Sequence, residues 1–187
     1  MRTVARFGTR AGAHPSYPDR AGFGRKELHL PAARVATSVA DQVARRAARA
    51  SAKGQVVRHV KAHGALYHAA NREAELARAV IEGSADALGR SFTLIGPPEG
   101  ELRRAAMASG IAYFREGFAD RRTSSDGTLV PRGEPGAVIE DPALARSLAR
   151  ELALSRKIDT VCVHGDTPGA LLIAHAAREA LDALNEG

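Results

Sequence analysis

The chain has 187 residues, 44% hydrophobic and 26% charged, the make-up of one globular domain rather than a disordered segment. Lys and Arg number 27 against 21 Asp and Glu, a net charge of +6, but scattered cations, a 4% aromatic share and no Trp argue against a nucleic-acid surface. No run approaches the roughly 20 apolar residues of a membrane span, the N-terminus lacks an apolar signal core, and a lone cysteine, Cys162, excludes a disulfide framework, so a reducing cytoplasm is the expected location.

Short apolar runs alternate with longer Ala/Arg/Leu-rich segments along the chain, which predicts βα units on a parallel sheet in a single domain over 1–187. A short strand is expected near Arg10–His14, followed by a Pro- and Gly-rich loop, PSYPDRAGFG. A helix is expected from Pro31, a favoured first helical position, to about Lys53, where Gly54 ends it. Val35, Val39 and Val43 form its apolar stripe. VVRHVKAH (56–63) reads as the next strand, followed by a helix over about Glu73–Leu88 and a strand over 91–96. After Pro97-Pro98 come a helix from about Glu99 to Ser109 and a short strand over 111–114. Residues 117–136 have no regular period, and so long a loop in a compact domain is more often functional than idle. Asp141-Pro142 reads as a helix cap and first turn, with the helix running to about Leu154. TVCVHGD (160–166) reads as a strand, and Thr167-Pro168 as the cap of a last helix reaching about Leu184.

Three of the seven histidines, His14, His63 and His164, fall at the C-terminal ends of expected strands, where β/α folds build their sites. Strand alternation puts His59, Lys61 and His63 on one face and Val60 and Ala62 on the other. It likewise separates Cys162, His164 and Asp166 from Val161 and Val163. The polar faces would then line an interior or crevice while the apolar faces receive helices. The three tip histidines are expected to gather at one rim as a site of titratable groups. His59, within its strand, reads as a hydrogen-bonded structural residue, and Cys162 as a small buried one. The long loop offers Asp120, Arg121, Arg122, Asp126 and Arg132, either as a solvated surface or as a lid carrying a carboxylate and an anion clamp. No Walker A sequence, GxGxxG fingerprint, HExxH or paired-cysteine metal motif is present.

Four stretches, GAHPSYPDRAGFGR (12–25), VKAHGALYHAA (60–70), EGFADRRTSSDGTLVPRGEPGAVIEDP (116–142) and TVCVHGDTPGA (160–170), resemble the LamB/YcsF family in order and across almost the whole chain. The resemblance implies a TIM-like β/α barrel akin to the polysaccharide deacetylase barrels. It implies the ATP-dependent opening of L-5-oxoproline to L-glutamate by the A subunit of a 5-oxoprolinase that works with subunits B and C. Matching the family's motifs residue by residue implies a site made from His14, Lys61, His63, Asp120, Arg121, Asp126, His164 and Asp166. On this reading Asp166 or His164 orients or deprotonates water, Lys61 offsets negative charge, and Arg121 and Arg132 clamp an anion. Analogy with deacetylase barrels leaves a divalent metal open, with His14, His63 and His164 as candidate ligands. The acidic strand and the CGxHxGD-like segment that open the family's sequences have no counterpart here, so the barrel is expected to be incomplete at its N-terminal side. Ala62, His68 and Thr123 stand where the family has Pro, Asn and an aromatic. The alternatives to an ATP-dependent lactamase are a metal-dependent amide or acetyl hydrolase and a non-catalytic, truncated relative.

Overall fold

A computed structural model describes residues 7–124 and 127–185. The chain divides between Phe114 and Arg115 into two compact units. In the first, β1 (Ala11–Ala13), β2 (Val57–Lys61) and β3 (Thr93–Gly96) alternate with helices α1 (Ala32–Ser51), α2 (Ala65–Arg72), α3 (Ala74–Leu88) and α4 (Glu101–Ala108). The strand β4 (Ala112–Phe118) crosses the boundary, and the second unit continues with α5 (Pro142–Leu154), β5 (Thr160–Cys162) and α6 (Ala170–Asn185). All registered strand pairs, β1 with β2, β2 with β3 and β4 with β5, are parallel, as the βα alternation predicts.

The first unit is held by α1 against α3. Val35, Val39 and Val43 are fully buried, at about 1.5 kcal/mol or more each, and they meet a face of α3 carrying Leu76, Ala77, Val80 and Ile81. The two backbones come close because Gly83 lies there: a Cβ at that position would sit 2.2 Å from the Ala36 carbonyl oxygen. Helix α1 begins one residue after Pro31 and closes where the Gln55 N–H reaches back to the Ala50 carbonyl past Gly54, which has a φ of 67°. In the second unit Val161 and Val163 pack against Ala149 of α5 and Ile173, Ala177 and Ala180 of α6. The apolar face of β5 therefore receives helices, as its alternation requires.

The structure corrects several expected boundaries. Helix α2 has no counterpart in the sequence reading; it is short, and an extended Glu73 (φ −118°) separates it from α3, so its periodicity merges with that of its neighbour. Strand β4 extends to Phe118 instead of stopping at 114, and β5 ends at Cys162 rather than 166. The last helix starts at Ala170, and the Thr167 hydroxyl donates to Asp120. In the segment expected to lack regular structure, isolated antiparallel bridges join Arg121 to Val138 and Thr123 to Leu129. Cys162 is half-buried rather than enclosed.

The β1–β2 pairing slips by one residue, with Ala11 opposite Val57 and Ala13 opposite Val60. Ala11 and Ala13 are buried, while Gly12 lies beneath the His59 ring: a Cβ there would meet Nε2 at 2.2 Å. His59 thus fills the space an ordinary side chain would take, and burial, followed by the Arg10 charge, lowers its pKa. Gly12→Ala is expected to cost about 1–3 kcal/mol in urea unfolding. Adding His59→Ala is expected to recover part of that loss, and a strictly additive double mutant would refute the packing account.

Candidate functional site

Two groups of polar side chains form at the C-terminal ends of the parallel strands, one in each unit. In the first, His14 follows β1 directly and His63 lies two residues beyond β2. His14 Nδ1 is 2.7 Å from the Lys61 carbonyl and His63 Nε2 is 2.9 Å from the Phe23 carbonyl. A carbonyl only accepts, so both of these ring nitrogens carry protons. The two remaining nitrogens, His14 Nε2 and His63 Nδ1, are 3.0 Å apart. For that contact to be a hydrogen bond, one ring must carry a second proton and the pair one positive charge. The rings meet edge to face with centroids 4.7 Å apart, and the Lys61 ammonium lies 5.8 Å from the centre of the Tyr67 ring.

The loop 15–25 is fastened to this pair by its backbone. The His63 N–H donates to the Pro15 carbonyl and the Ala65 N–H to the Gly24 carbonyl. Gly64 has a φ of 58°, and a Cβ on it would lie 2.4 Å from the Gly24 oxygen. A glycine between the tip histidine and helix α2 is therefore required twice, by conformation and by space.

In the second unit the centre is Asp120, which has no exposed surface. One of its oxygens accepts from the His164 backbone N–H at 2.9 Å and from the Thr167 hydroxyl at 2.7 Å. His164 Nδ1 lies 2.9 and 3.1 Å from the two oxygens. Burial pushes the carboxyl pKa up, but the His164 ring, the Thr167 hydroxyl and the His164 N–H outweigh it and hold Asp120 below its ordinary value. Nδ1 is therefore the donor to the carboxylate, and Nε2 faces away from Asp120. Phe118, the last residue of β4 and two before Asp120, lies nearly parallel to the imidazole, with centroids 5.6 Å apart.

In the long loop the two candidate clamp arginines are placed differently. Arg121 is buried, with Nε 3.2 Å from the Ala137 carbonyl and a terminal nitrogen 2.5 Å from the Val130 carbonyl. Its guanidinium staples the loop internally, because main-chain carbonyls turned inward need donors. Arg132 reaches Asp166 at 3.5 Å, a half-exposed pair worth little to stability. Asp126 lies outside the described residues. Thr167 and Phe118 join the site without having stood out in the sequence, although alternation backward from Asp120 identifies Phe118. Among the described residues no three His, Cys, Asp or Glu side chains gather closely enough to hold a metal.

Parallel βα units, one with an aspartate-backed histidine and one with a histidine pair beyond the strand ends, define an α/β protein with polar groups at its strand tips. The chain belongs to the LamB/YcsF family, whose model matches residues 1–186. It is 38% identical to the A subunit of 5-oxoprolinase from Symbiobacterium thermophilum, over 98% of this chain and 74% of that one. It is 40% identical to the protein of the same name from Methylococcus capsulatus, over 98% and 75% respectively. The crystal structure of a lactam utilization protein from Thermus thermophilus superposes with a TM-score of 0.88 at 34% identity, covering 98% of this chain and 78% of that one. The α/β, TIM-like fold class is thereby shared. Among the described residues no helix is long and apolar enough to cross a membrane.

The folded-state pKa of Asp120 lies below its unfolded one, so its stabilisation is complete above the unfolded value near 4 and is lost as pH falls through the folded value. Asp120→Asn is expected to lower unfolding stability by about 1–3 kcal/mol at pH 7. Denaturant titrations at descending pH are expected to bring variant and parent together below pH 4; a gap independent of pH would contradict this account.

Proposed function

We propose that this chain is the A subunit of an ATP-dependent 5-oxoprolinase, acting in the cytoplasm with subunits B and C to convert L-5-oxoproline, ATP and water to L-glutamate, ADP and phosphate. The names of its relatives support the assignment. The observation that carries it in the geometry is the Asp120–His164 pair, an imidazole oriented to accept a proton beyond a strand end.

A five-membered lactam is a stabilised amide, so water does not open it unless its carbonyl carbon is made more electrophilic. In the proposed sequence that oxygen attacks the γ-phosphorus of ATP and ADP departs. Water then adds to the activated carbon while His164 Nε2 takes its proton. The C–N bond breaks, nitrogen keeps the electron pair and takes a proton, and a further water releases phosphate. Asp120 keeps the imidazole in its working tautomer and stabilises the imidazolium formed when the proton arrives. Lys61 offsets negative charge on the substrate carboxylate or the phosphate, with His14 and His63 as further polar contacts. Arg132 and Asp166 border the His164 turn, where Asp166 assists in orienting water. Arg121 contributes by holding the loop that carries Arg132.

The test is reconstitution with cognate subunits B and C, following glutamate and phosphate together. Both are expected, and only with ATP present. His164→Ala is expected to lower kcat by a factor of about 100 to 10,000. Lactam opening that proceeds without ATP would instead favour a metal-dependent amide hydrolase. No glutamate from a trio that forms it when a homologue replaces this chain would overturn the assignment.

A further inference from the structure

Phe23 and Arg156 are the two non-glycine residues of the described chain with a left-handed backbone, each with a φ of 55°. That conformation is costly for a large side chain and persists only when the surroundings impose it. Phe23 gains nothing from the core in exchange, since 65% of it is exposed. The loop enforces the geometry: the Gly24 N–H donates to the Asp19 carbonyl, the Gly22 N–H to the Asp19 carboxylate, and the Arg25 N–H to the Gly22 carbonyl. The Phe23 carbonyl is pinned by His63 Nε2 at 2.9 Å. The ring is consequently held upright beside the histidine pair, perpendicular to the His63 imidazole with centroids 5.3 Å apart. The Arg25 guanidinium carbon lies over one face of the ring, 5.3 Å from its centre.

We infer that Phe23 is a ligand-contacting platform: a flat ring bearing an anionic group stacks on the face that Arg25 leaves open, and Arg25, on the opposite face, pairs with the anion at the ring's edge. An aromatic face offers dispersion and quadrupole contact to any planar ring, and a guanidinium matches carboxylate or phosphate oxygens in its own plane. The inference rests on the proposed reaction, in which both small substrates have this form: a lactam ring with a carboxylate, and a purine with phosphates. Strain at Phe23 sets the ring's direction, and the His63 bond ties that direction to the tip histidines.

The chain contains no Trp, so Phe23→Trp introduces a single indole fluorophore at the position in question. Calorimetry of the parent chain with ATP and with L-5-oxoproline runs alongside. Quenching by ATP alone assigns the platform to the purine, and quenching by 5-oxoproline alone assigns it to the lactam. Adenine without phosphates is expected to quench far more weakly than ATP in the first case. In the complete enzyme, Phe23→Gly keeps the left-handed backbone while removing the ring. It is expected to raise KM for the stacked substrate about fivefold and to leave the other KM unchanged. If the parent chain binds a substrate but the Trp variant reports nothing and Phe23→Gly leaves both KM values unaltered, the platform is refuted and the proposed function stands. If the parent binds neither substrate, alone or with its partner subunits, the proposed function fails and the platform with it.

Discussion

A buried carboxylate organises the second unit. Asp120 lies without exposed surface at the end of β4, and an ion in that position is tolerable only if donors replace its lost water. The His164 N–H, the His164 imidazole and the Thr167 hydroxyl provide them. Each comes from the turn between β5 and α6, so the need to satisfy one charge sets the path of that turn. The backbone of Asp120 serves as well: its carbonyl accepts from the Ile139 N–H as the long loop returns towards α5. Strand end, turn and loop exit are tied to one residue, and the orientation of the His164 ring follows from that bonding.

The first unit reaches a similar result without a buried charge. Main-chain carbonyls at Lys61 and Phe23 fix the outer nitrogens of His14 and His63, turning the inner ones towards each other. Backbone acceptors suffice because these rings are more exposed and need direction more than neutralisation. In both units the imidazole is oriented by a group from a neighbouring strand end or the loop beside it. Chemistry at strand ends therefore depends on loop geometry as much as on strand register.

Much of this is legible in the sequence, and the rest has physical reasons to stay hidden. The Val35, Val39 and Val43 stripe of α1 is legible because burial on one face repeats with the helical period. The tip histidines are legible because β strands alternate and glycine or proline follows each one. The fastening of Arg121 is not, since an arginine in a polar loop has the same sequence signature whether it faces solvent or bonds carbonyls. The separation of α2 from α3 escapes notice because it depends on the extended Glu73, which no local pattern marks. Thr167 reads as a helix cap, the usual role of Thr before Pro. The competing claim comes from Asp120, 47 residues earlier, and only the fold brings the two together. Family resemblance adds what spacing cannot, namely a reaction for the site to perform.

The staple at Arg121 has a further meaning for how this loop can vary. Its guanidinium reaches the carbonyls of Val130 and Ala137, so the base of the loop closes on itself below the Thr123–Leu129 bridge. That closure does not depend on how many residues lie beyond the bridge. Insertions, epitope grafts or natural length differences should accumulate there, while the footing that carries Arg132 keeps its shape.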